Sequence, residues 1–184
     1  MFVHKWTFII SIALLFTACA DLKKSEQEER IDAMQEKLSS LEAELNQFDR
    51  LLWKTWDDDA TSTMEKLKKL ESDTIPLQLA LDIDTYRQLK AKLPGLKKGQ
   101  ENCLNQVEQI RSRLKKLQAD IDKGSGRRDR YDEFLSTEEN ELKILEEKFA
   151  FYKSTYDEVK TDFPMAQEKV DAIVAERMLA EEVQ

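Results

Sequence analysis

The chain contains few of the residues that make turns. It has only four glycines and three prolines among 184 residues, and none of them comes before Pro76. Because an all-β protein needs turn residues every 8 to 12 positions, this scarcity excludes a sheet-rich fold. Charged residues make up 36% of the chain, which is typical of long solvated helices. We therefore predict an all-α protein.

Histidine is also nearly absent, since His4 is the only one. The rest of the chain therefore has no imidazole for a catalytic triad, a general base or a zinc site. The glycines form no phosphate-binding loop, because Gly124-Ser125-Gly126 is too short and follows no strand. We predict no enzymatic activity, no cofactor and no metal. The formal net charge of −8 argues against a nucleic-acid partner.

The N-terminus has the layout of a signal peptide. His4 and Lys5 precede an apolar run over 6–16, which small residues close. A membrane-spanning helix needs about 20 apolar residues, and this run ends at Asp21. We predict that residues 1–18 are a cleaved signal peptide. Its removal leaves 28 basic and 37 acidic residues, a net charge of −9.

The segment Phe16-Thr17-Ala18-Cys19 resembles the lipobox of bacterial lipoproteins, although phenylalanine stands where leucine is usual. The resemblance implies a diacylated Cys19 as the mature N-terminus and anchoring in the cell envelope. Ala20 is not the aspartate that retains lipoproteins in the inner membrane, which favours the periplasmic side of an outer membrane in a diderm organism. Two alternatives are cleavage after Ala20, which releases a soluble protein, and an uncleaved anchor.

Apolar residues recur in three stretches at alternating steps of three and four, the heptad seam of a coiled coil. We predict a short charged tether over 19–30 and a helical coiled-coil domain over 31–184. The first seam predicts one helix from about 22 to 72, with a stutter near Trp56. Its positions are Ile31, Met34, Leu38, Leu41, Leu45, Phe48, Leu52, Trp56, Ala60, Thr63, Leu67 and Leu70. Asp57-Asp58-Asp59 indicates a solvated helix face rather than a calcium loop, because the glycine of such loops is missing.

A turn near 72–76 separates the first stretch from the second, which we predict as helical from about 77 to 123. Residues 75–83 also alternate like a strand, but a lone strand would have no partner. Pro94-Gly95 should kink or interrupt this helix. Its seam positions are Leu79, Ile83, Tyr86, Leu93, Leu96, Cys103, Val107, Ile110, Leu114, Leu117 and Ile121.

Gly124-Ser125-Gly126 is the strongest turn signal, and so short a link makes the flanking helices antiparallel. A kink or break is expected at 162–164 in the third helix. Glu138 is the one charged residue at a seam position of this helix. The apolar seam positions are Tyr131, Leu135, Leu142, Leu145, Phe149, Tyr152, Tyr156, Val159, Phe163, Ala166, Val170 and Ile173.

Three stretches of similar length joined by two turns predict an elongated antiparallel three-helix coiled-coil bundle, up-down-up. This layout resembles spectrin-type three-helix coiled coils in architecture alone. The alternative is a two-helix hairpin of the second and third helices, with a projecting first helix that meets another chain.

Three features are candidates for function. The glycine turn is flanked by four basic residues that we call the basic tip: Lys123, Arg127, Arg128 and Arg130. In an up-down-up bundle they return to the lipidated end and face the membrane. The alternative is a solvated tip partly balanced by Asp122, Asp129 and Asp132. Cys103 is either a buried thiol or half of an intermolecular disulfide. Trp53 and Trp56 are either core residues or an exposed patch.

These features predict a membrane-anchored structural or interaction protein, a scaffold, spacer or adaptor that contacts a protein partner helix on helix. The alternative is a periplasmic carrier or holdase-type chaperone, which would clasp apolar clients with exposed aromatic surfaces. The oligomeric state stays open at this stage.

Overall fold

The structure is a computed structural model that describes residues 3–69 and 76–182, with side chains described for 22–49, 52–69 and 76–179. Four α-helices account for almost all of these residues: α1 (Val3–Leu45), α2 (Arg50–Lys69), α3 (Leu77–Lys123) and α4 (Tyr131–Glu182). A 3-10 turn, Arg128–Arg130, precedes α4. The described ranges contain no strand, so the all-α prediction is confirmed.

The first predicted helix is interrupted at residues 46–49, so the prediction of one helix from 22 to 72 is wrong. Leu45 ends α1, and the amides of Gln47 and Phe48 form turn bonds to Glu44 and Leu45. Buried Gln100 of α3 satisfies two carbonyls of this break, donating from Nε2 to Leu45 O at 2.6 Å and to Phe48 O at 3.3 Å. An exposed stutter would not need such a donor, because water would satisfy the carbonyls.

The second helical region begins at Leu77, so the helical interpretation of 77–83 is confirmed over the strand. Ile75 and most of the turn predicted near 72–76 lie outside the described residues. The turn predicted at Gly124-Ser125-Gly126 lies between α3 and α4.

Neither internal proline ends its helix. The helix α3 continues through Pro94 and α4 through Pro164. An interruption at 94–95 or 162–164 is therefore wrong, whereas the kinks predicted at these sites stay predictions. Both prolines are exposed. The carbonyl that loses its partner four residues earlier can therefore be solvated, and the ring does not disturb the packed face.

The chain divides into two compact units. Unit 1 comprises Met1–Ala43 and Asn105–Glu146, and unit 2 comprises Glu44–Leu104 and Glu147–Gln184. Each unit combines segments of α3 and α4 with a segment from the N-terminal third of the chain.

The core of unit 1 is almost entirely aliphatic. Five of its aliphatic side chains have no exposed surface: Ile31, Leu38, Leu114, Leu135 and Leu145. Glu138 occupies a buried seam position at 8% exposure. Arg113 of α3 donates its Nε to both Glu138 oxygens, at 2.7 and 2.9 Å. The one polar seam position of α4 is therefore the acceptor of an ion pair between α3 and α4.

The core of unit 2 contains a cluster of aromatic rings among its aliphatic side chains. Phe48 packs on Tyr156 at 4.2 Å between ring centroids, and Trp53 meets Tyr156 edge-on at 4.8 Å. Phe163 stacks on Tyr86 at 5.6 Å. Trp53 is 2% exposed and Trp56 is half-buried. The packing interpretation of this tryptophan pair is therefore confirmed for Trp53.

A polar cluster crosses the aromatic core of unit 2. The Tyr86 hydroxyl donates to Gln167 Oε1. Gln167 Nε2 donates to Thr63 Oγ1 at 2.9 Å and to Asp171 Oδ2 at 2.8 Å, and Thr63 Oγ1 donates to Asp171 Oδ1 at 2.8 Å. Burial raises the pKa of Tyr86 to about 12. The cluster links α2, α3 and α4 with every polar atom named here satisfied.

Most predicted seam positions are buried, and the exceptions are local. Leu52, Trp56, Leu79 and Ile173 are half-buried, and Leu70 lies outside the described residues. Four residues outside the predicted seams are also buried: Trp53, which replaces Leu52, Val174, which replaces Ile173, and the additional positions Leu89 and Gln100. The break at 46–49 explains the first exchange, because it rotates α2 by about one position relative to a continuous helix.

Candidate functional site: the basic tip and the outer face of α4

Cys19, the predicted lipidation site, lies within the backbone of α1, and its side chain belongs to the part of the chain that the structure does not describe. The described side chains begin three residues later with Leu22, which is 73% exposed. The tether predicted over 19–30 is helical throughout. Packing begins within it, because Gln27 is 5% exposed.

The turn that carries the basic tip requires glycine at two positions. Gly124 and Gly126 adopt φ values of +59° and +78°, a left-handed region that other residues rarely occupy. The Ser125 amide bonds to Asp120 O at 2.9 Å and the Gly124 amide to Ile121 O at 3.1 Å, which ends α3. A side chain at Gly124 would also collide with the guanidinium of Arg128.

The four basic residues of the tip differ in their contacts. Lys123 and Arg127 are exposed, and Arg127 pairs only loosely with Asp129 at 3.9 Å. Arg128 donates its Nε to Gly124 O, so its charge is fixed beside the turn. Arg130 donates its Nε to Glu133 at 2.7 Å, which lowers the pKa of Glu133. Three of the four cations are thus presented around the turn, and Arg130 faces α4.

The first described turns of α1 pack against this tip, which sequence reasoning missed. Lys23 Nζ pairs with Asp132 at 2.8 Å and Gln27 Nε2 donates to the same carboxylate at 2.6 Å. The hydrogen bond from Lys23, followed by that from Gln27, lowers the pKa of Asp132. Lys24 lies 3.8 Å from Asp122. The available signal was Gln27, which stands four residues before Ile31 and extends the first seam.

The outer face of α4 in unit 2 carries exposed apolar side chains at multiples of seven residues. Phe151 is 77% exposed, Met165 54% and Leu179 64%, and Ala172 between the last two is exposed as well. Glu158 interrupts the row and pairs with Lys92 of α3. Because residues seven apart lie on one side of a helix, Phe151, Met165 and Leu179 lie on the same side of α4, about 21 Å apart along its axis. We call these three side chains the apolar row.

The remaining described side chains form no recognisable catalytic arrangement. Asp57-Asp58-Asp59 lies within α2, as expected for a solvated helix face. Among the described side chains, no group of three or more His, Cys, Asp or Glu is placed to hold a metal ion. Cys103 is 4% exposed, and burial raises the pKa of its thiol, which keeps it protonated and unreactive. Within the described ranges, no helix is both long and apolar enough to cross a membrane.

Comparison with known proteins gives no relative from which a function could be transferred: no protein-family profile, no curated protein and no solved structure matches this chain.

Proposed function

We propose that this chain is a bacterial envelope lipoprotein, anchored through acyl groups on Cys19, whose helical domain acts as a scaffold or adaptor for another envelope protein. The lipobox-like segment before Cys19 supports the anchor, and Ala20 favours the periplasmic side of an outer membrane. The observation that carries the adaptor role is the apolar row of Phe151, Met165 and Leu179. Exposed apolar residues in register are typical of a surface that binds a helix.

Within this proposal each unit is a three-helix coiled-coil bundle with an up-down-up order. The contacts support that order. In unit 1, the residue numbers of the paired side chains increase in the same direction along α1 and α4. The pairs are Gln27 with Asp132, Arg30 with Glu139, and Lys37 with Glu146. Partners on α3 run the opposite way, from Lys24 with Asp122 to Glu42 with Arg111. A hairpin with a projecting first helix would lack the contacts of α1.

The partner that suits the row on α4 is an amphipathic helix of a second envelope protein, with its own apolar side chains at heptad spacing. Such a helix would cover Phe151, whose ring is the largest exposed apolar group among the described side chains. The carrier alternative has less support, because the aromatic side chains that would clasp a client pack against one another in the core of unit 2.

Lipidation is tested by growing cells with a labelled fatty acid. The wild-type protein should incorporate label and Cys19→Ala should not. Absence of label on the wild type would contradict the anchor.

The adaptor surface is tested by a photocrosslinking residue placed at Phe151, with the same residue at Leu81 of α3 as the matched control. Leu81 is also exposed, at 53%, but lies on a different helix. The position on α4 should crosslink to a helix of a second protein, and Met165→Glu should abolish that product. A crosslink to another copy of this chain would contradict a heterotypic partner, and equal products at both positions would contradict a specific surface.

A further inference from the structure

A cavity of about 400 Å³ lies at the basic tip, between the first described turns of α1 and the turn after α3. Four cationic side chains line it, namely Lys23, Lys24, Lys123 and Arg128, against a single carboxylate, Asp122. Its apolar wall comes from Ile121 and Tyr131, which are 4% and 5% exposed. The cavity therefore combines an apolar wall with an excess of positive charge.

The cations that line the cavity keep donors available for a ligand. Lys24 is shared between Glu28 at 3.4 Å and Asp122 at 3.8 Å, distances too long for tight hydrogen bonds. Lys123 is exposed. Arg128 uses its Nε on Gly124 O, and a guanidinium has four further N–H donors in a planar fork that suits phosphate oxygens. The arrangement fits an anion with several acceptor oxygens and an apolar attachment.

The position of the cavity narrows the choice of ligand. Lys23 follows Cys19 by four residues on the same helix, a distance of about 6 Å along the axis. Leu22, exposed beside it, presents an apolar side chain at the same level. If Cys19 carries acyl chains, as the proposed function requires, the cavity lies at the depth of the lipid head groups.

We propose that this cavity binds the phosphate of an anionic phospholipid head group, so that the lipid anchor and the basic tip hold the same end of the protein on the membrane. The cavity thereby extends the predicted tip, since Lys23 and Lys24 of α1 join Lys123 and Arg128. Arg127 and Arg130 lie outside its lining.

The test uses the full-length protein, purified from cells with its native modification, carrying a fluorescent label at Ser125→Cys. It is reconstituted in vesicles of neutral phosphatidylcholine, in vesicles that also contain phosphatidylglycerol, and in neutral vesicles with added inorganic phosphate. Sodium chloride of equal ionic strength is the screening control. The binding variant is Lys24→Gln/Lys123→Gln/Arg128→Gln. The matched control is Lys54→Gln/Lys66→Gln/Lys115→Gln, which makes the same charge change at exposed lysines.

Phosphatidylglycerol should shift the fluorescence emission of the label at position 125 in the wild type and in the matched control. The binding variant should need about 100-fold more anionic lipid for the same shift, because each basic group near such a surface contributes roughly a factor of five to the affinity. A response to inorganic phosphate alone would assign the site to free phosphate and overturn the lipid source. Equal responses of the two triple variants would overturn the cavity and leave only net charge.

Two further controls keep these outcomes interpretable. Circular dichroism establishes that the binding variant is folded, and Lys123→Gln alone, at an exposed position, should still weaken the response about fivefold. Fatty-acid labelling of the same preparation separates the two proposals. A protein that carries no fatty-acid label overturns the anchor. A protein that carries the fatty acid but whose fluorescence does not respond to phosphatidylglycerol overturns the cavity.

Discussion

Unit 1 and unit 2 combine segments of the same two long helices, α3 and α4, yet their cores use different chemistry. In unit 1, aliphatic side chains fill the seam and a charged pair, Arg113 with Glu138, fixes the polar position. In unit 2, aromatic rings pack among aliphatic side chains, and neutral donors such as Tyr86 and Gln167 join the helices. A heptad pattern specifies that helices pack along a seam, but the side chains at the seam decide how each region is held.

The largest expected effect is on the aromatic core. Phe163→Ala removes a ring that packs on Trp56 and Tyr86, and it should lower the free energy of unfolding of unit 2 by about 4 kcal/mol. Leu135→Ala in unit 1 should cost about 3 kcal/mol. Chemical denaturation followed by fluorescence reports unit 2, where Trp53 and Trp56 lie, and circular dichroism reports both units.

Phe151→Ala is the matched control for this comparison, because Phe151 is on the same helix and 77% exposed. It should leave both transitions unchanged within experimental error. If Leu135→Ala displaced the fluorescence transition as far as Phe163→Ala does, the two cores would behave as one cooperative structure.

The second effect concerns the charged pair of unit 1. Arg113→Met leaves Glu138 at 8% exposure without its partner, which should destabilise the protein by about 2 kcal/mol, less than for a fully buried pair because Arg113 is partly exposed. Arg30→Met, which breaks the more exposed pair with Glu139, should cost about 0.5 kcal/mol. Thermal unfolding measures both.

The double variant Arg113→Met/Glu138→Leu sharpens this test. It removes both charges and should recover most of the lost stability, since an apolar pair of similar volume replaces a desolvated ion pair. A double variant no more stable than Arg113→Met would mean that the pair contributes by packing and not by charge.

The third effect is local to the break between α1 and α2. Gln100→Leu removes the side-chain donor to Phe48 O and leaves Leu45 O with only the long bond from the Phe48 amide. This loss should cost about 1.5 kcal/mol. Hydrogen exchange should accelerate at residues 46–52 and hardly at all in unit 1. Gln88→Leu, at an exposed position of α3, is the control, and equal acceleration in both variants would show that Gln100 does not hold the break.

The sequence was sufficient for the helical class and for most buried positions, because burial at heptad spacing depends on a local repeat. It was not sufficient where a polar residue occupies a seam position. Gln100 stands four residues after Leu96 and three before Cys103, a spacing that fits burial, but the predicted seam did not include this polar residue, which is 1% exposed. Its role depends on the carbonyls of a break 52 residues away in sequence, and no local pattern contains that contact.

The candidate site was only half accessible to sequence reasoning. The glycines that force the turn after α3 and the cations around it are contiguous, so composition alone identifies the basic tip. Lys23 and Lys24 are about 100 residues away in sequence, and only the packing of α1 on the turn brings them to the same cavity. Likewise, the row on α4 became visible only once exposure separated Phe151 from its buried neighbours Phe149 and Tyr152.

The smallest effect concerns the polar cluster of unit 2. Tyr86→Phe removes the hydroxyl that donates to Gln167, which should cost about 1 kcal/mol at neutral pH. Burial raises the pKa of Tyr86 to about 12 in the folded protein, above the value of about 10 for an exposed tyrosine. Because the folded state holds this proton more tightly, its stabilisation is complete below pH 10 and is lost as the pH rises from about 10 to 12.

The difference between two pH profiles isolates this titration from that of the lysines, which is common to both proteins. The wild type should lose stability more steeply than Tyr86→Phe between pH 10 and 12, so the two unfolding curves should converge there. Thr63→Val removes another member of the cluster but leaves the phenol, so it should keep the steep fall while starting from lower stability. Parallel profiles for the wild type and Tyr86→Phe would mean that the hydroxyl is as accessible to water in the folded protein as in the unfolded chain. The aromatic core of unit 2 would then not exclude solvent from its polar cluster, and its contrast with unit 1 would be limited to side-chain shape.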